Sequence, residues 1–374
     1  MRILAINAYH GGSHREFLEQ WISHSCHEFS VFSLPARHWK WRMHHGAYSL
    51  SLMIKETSNP YDVILASDMI DVAVLRGLLS ADDKEKWYNK VPIFTYFHEN
   101  QLTYPWSEND QDVQLKRDTH YAWINIMSAV SSDHIIFNSR YHKNSFIDAI
   151  PGYMKRFPDY NTYEFLEHIK NNSSILPIGL SLDPLLRLKN TANDIPIILW
   201  NHRWEYDKNP TLFFNTLEKI KAKGMHFKLI IAGENYAKIP EIFLKAENQF
   251  KEEIIHFGYA ETRSEYLALL AKADIVPVTS NQDFFGISAV EAIAAGCYPL
   301  LPNRLAFPEH LSEDQVYYKN DIELEEKLKI VIKDRIDLAP NNFRDEISKY
   351  NWSNLITNYD KTLERLVFYS DSKR

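Results

Sequence analysis

The stretch DFFGISAVEAIAAG, Asp283 to Gly296, decides how the second half of this chain is read. It follows the apolar run DIVPVTS, whose strand is expected to end near Thr279, and it opens a helix at about Gly286. The first N–H groups of such a helix have no partner inside it and carry the positive end of its dipole. They make a seat for a phosphate. Gly286 removes a side chain where a ligand would approach. Asp283 stands just ahead of the helix, and Glu291 lies within its first two turns. Both could accept hydrogen bonds from sugar hydroxyls. Taken alone, the pattern fits equally well an acidic residue at a helix start and a partly buried glutamate.

A second stretch tips that balance. WNHRWEYDKNP, Trp200 to Pro210, also leads from a strand into a helix. Arg203 offers a planar fork of donors and Lys208 a compact charge, spaced so that both can converge on a diphosphate. Two cations on one loop are commonly solvated surface. Two cations and a helix N-terminus, all at strand ends of one domain, point to an anionic ligand.

Outward from these loops, β-rich apolar runs alternate with helical patterns. IPIILWN, FKLIIAG, IIHFGY, DIVPVTS and CYPLLP read as strands of one domain, with helices at Pro210 to Lys223 and Ile287 to Ala295. RILAIN, FSVFSL, DVILAS, PIFTYF and HIIFNS read as buried parallel strands of another, with helices at Ser13 to Cys26 and Thr119 to Ser131. Residues Asp183 to Asp194 read as a linker. The expected architecture is α/β: two Rossmann-like, doubly wound domains facing a cleft, covering residues 1–182 and 195–351. An amphipathic helix from Trp352 to Phe368 is expected to cross back, so that residues 352–374 join the first domain.

Composition narrows the class. The 374 residues carry 42 Lys+Arg against 49 Asp+Glu, a formal net charge of -7, which argues against generic binding of nucleic acid. No run of about 20 apolar residues is present to span a bilayer, and MRILAINAY reads as a strand rather than a signal peptide. Cys26 and Cys297 cannot make a disulfide framework, and no Cys/His spacing suggests zinc. A cytoplasmic protein with no membrane association and no obligate protein partner is expected.

One segment breaks this acidic character. PARHWKWRMHHGAYS, Pro35 to Ser49, holds Arg37, Lys40 and Arg42 among Trp39, Trp41 and three histidines, with no acidic residue. Cations can hold a nucleic-acid backbone and aromatic planes can stack on unpaired bases. The two tryptophans face one way only if the segment is extended; on a helix they diverge by about 200°. The alternative is that both are core anchors with surface cations beside them. In the same half, NAYHGGSH closes the first strand with Gly11 and Gly12, whose loop can approach donor phosphates. YFHENQLTYP ends another strand with His98 and Asn100.

The order Arg203, Lys208, AGEN from Ala232, and HFGYAETRSEYLALLAKADIVPVTSNQDFFGISAVEAIAAG from His256 resembles the donor domain of retaining GT-B glycosyltransferases. That resemblance implies a sugar-nucleotide site built from Gly11, Gly12, Gly233, Phe285, Gly286, Ile287 and Glu291, with Glu291 on the ribose. It makes Arg203 and Lys208 the groups that stabilise the leaving diphosphate, and His98 and Asp283 the groups that position the sugar. Asp283 departs from the family pattern, where glutamate is usual. AYHGGSHREFLEQW, LPARHWKWRMHHGA, YFHENQLTYP and FNSRYHKNSF together resemble the tRNA-queuosine mannosyltransferases. This implies transfer of mannose from GDP-mannose to the cyclopentenediol of queuosine in the anticodon loop of an aspartate tRNA, with retention. The acceptor side would then be His14, Arg37, Trp39, Lys40, Trp41, Arg42 and Asn100. No DxD-like acidic pair stands where a metal would be needed, so no metal or other cofactor is expected. The residues alone leave the base open between guanine and uracil, and do not fix the sugar. Two other readings stay open: a GT-B enzyme acting on a lipid or polysaccharide, and a non-catalytic RNA-binding protein with this fold.

Overall fold

The computed structural model describes residues 1–107, 110–115, 117, 119–159, 162–188, 193–234, 239–334 and 341–373. The chain forms two compact units, Met1–Leu180 with Trp352–Arg374, and Ser181–Asn351. The second unit therefore begins ahead of residue 195. Part of the expected linker is helical, at Asp183–Leu186, and residues 189–192 of it lie outside the described residues.

The first unit is built on β1 (Arg2–His10), β2 (Glu28–Pro35), β3 (Val63–Ser67), β4 (Ile93–Phe97), β5 (His134–Phe137) and β6 (Ser173–Ile175). All pair in parallel, in the order β2-β1-β3-β4-β5-β6. Val63–Ser67 and Ile93–Phe97 are buried throughout, as continuous apolar runs in a sheet covered on both faces must be. FSVFSL departs from expectation. Its strand is the sheet edge, and its residues are half-buried or exposed rather than buried. The chain leaves β1 toward one edge and returns to place β3 on the other side. The sheet's order therefore reverses between β1 and β3, where ligands of open α/β sheets gather at the strand carboxyl ends.

Helix Trp352–Lys373 belongs to this first unit. Trp352 donates through Nε1 to Gln20 Oε1 at 2.8 Å, and Tyr359 meets Trp21 edge-on with ring centroids 4.7 Å apart. Both rings are fully buried, so this helix seals one flank of the core.

The second unit repeats the plan with β7 (Ile197–Trp200), β8 (Lys228–Ala232), β9 (Ile254–Gly258), β10 (Ile275–Pro277), β11 (Tyr298–Pro302) and β12 (Tyr317–Tyr318). The order is β12-β11-β10-β7-β8-β9, so IIHFGY is again a half-buried edge. Here the reversal falls between β7 and β10, paired at Ile198 and Ile275. Helix Pro210–Ala222 and helix Ile287–Ala295 follow β7 and β10. Among the described residues no helix is long and apolar enough to cross a membrane.

Candidate active site

In the second unit the loops leaving β7 and β10 are sewn together. Trp200 Nε1 donates to His202 O at 3.0 Å, and Trp204 stacks flat on Phe243 with centroids 4.3 Å apart. These anchors fix the loop that carries His202 and Arg203. A short 3-10 turn at Tyr206–Lys208 follows, ending on Asn209 in the left-handed region (φ 52°), whose side chain caps helix Pro210–Ala222. Thr279 Oγ1 donates to the carbonyls of Lys208 and Asn209 at 2.8 and 3.1 Å, and Asn281 N donates to Asp207 O at 2.7 Å. The two loops are therefore held in one geometry before any ligand arrives.

Their charges meet inside. Lys208 Nζ donates to Asp283 Oδ1 and to Gln282 O, each at 2.9 Å, and lies 3.2 Å from Asp207 Oδ2. Burial opposes the ammonium charge, but Asp283 and Asp207 outweigh it and hold its pKa above the ordinary lysine value. Burial likewise opposes the Asp283 carboxylate, and Lys208 and His202 more than offset that, so its pKa sits below the ordinary range. Arg203 is more open: its guanidinium lies 3.4 Å from Glu205 Oε2 and 3.8 Å from Asp207 Oδ2, with the side chain 42% exposed.

Helix Ile287–Ala295 begins at Gly286, whose φ of 86° suits glycine; an added Cβ would also lie 2.7 Å from Phe307. His310 Nε2 donates to Phe285 O at 2.7 Å and so fixes the residue before that turn. Glu291, in the same helix, accepts from Arg263 Nη2 at 2.6 Å and from Tyr266 OH at 3.1 Å. Tyr266 is itself bonded by Asn201 Nδ2, just past β7, at 3.0 Å. Thus Arg203, Lys208, Asp283, the start of helix Ile287–Ala295 and Glu291 all belong to the strand ends at one reversal. Packing alone is enough to require Gly233: a Cβ there would lie 2.0 Å from His202 O. Asn235 of the AGEN stretch lies outside the described residues.

His202 was not singled out from sequence. Its Nδ1 meets Ser288 Oγ at 2.8 Å, while its Nε2 is buried and makes no hydrogen bond. Burial lowers its pKa to about 4, so the ring is neutral. Asp283 Oδ2 is likewise buried without a hydrogen bond. Both atoms are open to a polar ligand or to water.

In the first unit the loops leaving β1, β3 and β4 converge. Gly12, at φ 51° with open space where a Cβ would stand, starts helix Gly12–His24 and brings His14 inward. Gly11 instead packs closely: its Cβ would be 2.5 Å from that of Ala36. His14 packs against His98 at a tilt of 48° with centroids 4.4 Å apart, and Phe17 and Tyr96 each stand 4.8 Å from the His98 ring. Burial pushes His14 down to about 4, and burial with the neighbouring histidines pushes His98 well below the usual value. Asn100 shapes its own turn: Oδ1 accepts from Leu102 N at 3.0 Å and from Thr103 N at 2.9 Å. Its Nδ2 is buried without a hydrogen bond. The sequence reading missed Asp68, one residue past β3 and 1% exposed. Its only sequence signal was a polar residue directly after a continuous apolar strand.

The segment Trp39–Glu56 is a helix, which separates its two tryptophans. Trp39 turns inward against Met43, Met69 and Tyr121, and Trp41 turns outward, 67% exposed. Lys40 is not a solvent-facing cation. Its Nζ lies 2.6 Å from both Asp110 and Asp112 carboxylates and over the Trp106 ring, so its charge is already matched within the unit. Arg37 is exposed and Arg42 half-buried, with Arg42 Nε donating to Pro35 O at 3.1 Å. Together with His45, Tyr48 and Leu52 they leave an outward face that is basic and aromatic. Elsewhere in this unit, Cys26, His27 and Glu364, the last on helix Trp352–Lys373, bring potential metal-ligating atoms within 4.8 Å of one another.

Two parallel-sheet Rossmann-like domains define the GT-B class of glycosyltransferases, and comparison with known proteins agrees. Residues 186–351 match the family of glycosyl transferases group 1, and residues 2–180 match the tRNA-queuosine alpha-mannosyltransferase N-terminal family. The chain is 34% identical over 328 residues to the tRNA-queuosine alpha-mannosyltransferase of Drosophila melanogaster, covering 84% of this chain and 83% of that one. It belongs to the tRNA-queuosine alpha-mannosyltransferase family. Among solved structures, sucrose-phosphate synthase from Thermosynechococcus elongatus aligns with a TM-score of 0.70 at 14% identity, over 99% of this chain and 100% of that one. Anabaena HepE in complex with UDP aligns at 0.67 and 14% identity, over 98% and 100%. At such identities these likenesses show the fold alone.

Proposed function

We propose that this protein is a cytoplasmic enzyme that transfers mannose from GDP-mannose to the cyclopentenediol of queuosine in the anticodon loop of an aspartate tRNA, with retention. The observation that carries this reading is the prearranged Lys208–Asp283 pair at the β7/β10 reversal. It stands in a family whose Drosophila relative is named for mannosyl transfer to tRNA-queuosine.

The anomeric C–O bond breaks and its electron pair passes to the diphosphate. Arg203, Lys208 and the N–H groups at the start of helix Ile287–Ala295 stabilise that growing negative charge. The helix N–H groups are fixed beforehand, whereas Lys208 exchanges one of its contacts with Asp283, Gln282 O or Asp207 for the phosphate. Glu291 holds the ribose and Asp283 orients the hexose, and His98 is the first unit's candidate for a sugar contact. The acceptor oxygen forms the new bond on the same face, and its proton goes to the departing phosphate oxygen. A retaining enzyme of the double-displacement kind needs a carboxylate nucleophile; Asp283 is held as an ion-pair partner of Lys208, which disfavours that role. Trp41, Arg37 and Arg42 meet the anticodon loop, Trp41 by stacking on a base. No metal is required for this chemistry, since fixed cations and helix N–H groups already face the leaving group.

The exposed row Trp41, Tyr48 and Leu52 also fits a second reading, a lipid-linked acceptor at a membrane surface. The decisive experiment incubates the purified chain with queuosine-containing tRNA and a panel of nucleotide sugars, then weighs the released nucleosides. A queuosine gaining one hexose from GDP-mannose alone supports the proposal. Liposome flotation without any tRNA shift supports the second reading.

A further inference from the structure

The reversal between β1 and β3 holds two buried polar atoms that face each other without bonding. His14 Nδ1 lies 3.9 Å from Asp68 Oδ1, and neither atom makes a hydrogen bond. The residues are 7% and 1% exposed. A direct hydrogen bond between nitrogen and oxygen spans about 2.7–3.2 Å, so this gap is too long for one. It is short enough for one oxygen atom to lie within bonding distance of both. The surroundings hold the gap open. Asp68 Oδ2 accepts from Glu99 N at 3.0 Å, Asp68 O accepts from Asn125 Nδ2 at 3.1 Å, and the His14 ring is pinned against His98.

We propose that His14 and Asp68 form a seat for one substrate hydroxyl group, which donates to one of them and accepts from the other. This deepens the reading above, on which it rests: it assigns Asp68 to the sugar-transfer site and names the chemistry it recognises. A hydroxyl is the matching ligand because it is donor and acceptor at once. It bridges the pair with Asp68 ionised and His14 carrying its proton on Nδ1. It bridges it equally with the proton on Asp68 and a bare His14 Nδ1. A carboxylate or phosphate oxygen has no proton to give and would face Asp68 across a buried site, with Glu99 adjacent. An ammonium fits only a bare His14 Nδ1 beside an ionised Asp68, whereas a hydroxyl fits the pair with the shared proton on either residue. The seat lies where open α/β sheets bind ligands, and the neighbouring loop bears His98 and the unsatisfied Nδ2 of Asn100.

Both the donor hexose and the acceptor diol carry hydroxyls, and kinetics separates them. Asp68→Ala, His14→Ala and the double variant are assayed in the full chain for mannosyl transfer to queuosine tRNA, and for hydrolysis of GDP-mannose without tRNA. Each single change is expected to lower kcat/KM for transfer by about 30-fold or more, the scale of one lost preorganised hydrogen-bond partner. The double variant should be no more than about threefold worse than the poorer single, because one bridging group serves both residues. Unchanged hydrolysis assigns the hydroxyl to the acceptor; a parallel fall assigns it to the hexose. Either single variant within threefold of the parent, or losses that multiply in the double, overturns the seat. If Asp68→Ala does not fold, Asp68→Leu, close in size but unable to hydrogen-bond, replaces it under the same criteria. A parent chain that transfers no mannose overturns the proposed function itself, whereas an active parent with unimpaired variants overturns only the seat.

Discussion

Lys208 Nζ and Asp283 Oδ1 are 2.9 Å apart although 75 residues separate them in the chain. The pair is nearly closed to solvent, so it cannot be treated as a surface salt bridge. Removing one partner leaves the other as a buried, incompletely matched charge.

Replacing Lys208 by Ala is therefore expected to lower the transfer rate by about 100-fold or more, and Arg203→Ala to do the same. The two should differ in stability. Lys208→Ala should lower Tm measurably, while Arg203→Ala, with its more open side chain, should leave Tm within a degree or two. Calorimetry beside steady-state kinetics checks both. Near-normal turnover in either variant would remove that residue from the leaving-group site.

Gly286→Ala is expected to destabilise the second unit by about 1–3 kcal/mol, because φ is 86° there and Phe307 fills the space. The same substitution should disturb the helix start proposed to bind the donor phosphates. Weaker binding of GDP together with lower stability, by titration calorimetry and denaturant unfolding, is the expected outcome.

The two tryptophans of helix Trp39–Glu56 should behave in opposite ways. Trp39→Ala removes a packed ring and should destabilise the chain by about 3 kcal/mol. Trp41→Ala should leave stability unchanged and weaken tRNA binding, leaving GDP-mannose affinity intact. Arg42→Ala should also weaken tRNA binding and flatten its dependence on salt. Filter binding at several salt concentrations reads this directly; normal tRNA binding by Trp41→Ala would remove that helix face from the interface.

Buried histidines set an acid limit on stability. Burial lowers His14, His202 and His310 each to about 4 in the folded chain, against about 6.5 when unfolded. Above pH 6.5 both states are neutral there and the folded state has no penalty. As pH falls from 6.5 toward 4, only the unfolded chain takes up the protons, so stability is lost through that window. Each histidine can cost up to roughly 3 kcal/mol by pH 4. Thermal melts between pH 8 and 5 should show Tm falling below pH 6.5. His310→Gln should make that fall shallower. A flat profile would contradict the burial of these rings.

The proposed mechanism puts the leaving group's charge on Arg203 and Lys208, so transfer should survive excess chelator. Complete loss of activity, restored by a divalent ion, would place a metal in the reaction.

Much of this protein was legible along the chain. Continuous apolar runs marked nearly every strand of the two sheets, and the Gly286 break marked where helix Ile287–Ala295 begins. These signals are local, because period and turn chemistry act over a few residues. The same locality explains the errors. FSVFSL is as apolar as a central strand, and only pairing places it at an edge. Trp39 and Trp41 look alike until a helix sends one inward and one out. Lys40 looked like a free cation because its partners, Asp110 and Asp112, lie some 70 residues on.

What the amino-acid order determined by itself was the alternation of strand and helix, the cationic loop after β7 and the helix start after β10. What tertiary structure alone decided was adjacency. Because β10 lies beside β7, Lys208 is bonded to Asp283. Because β3 lies beside β1, Asp68 faces His14 across a gap fit for one oxygen. Sheet order depends on nonlocal pairing and shared burial, which no short window of sequence records, and the proposed site sits where that order reverses.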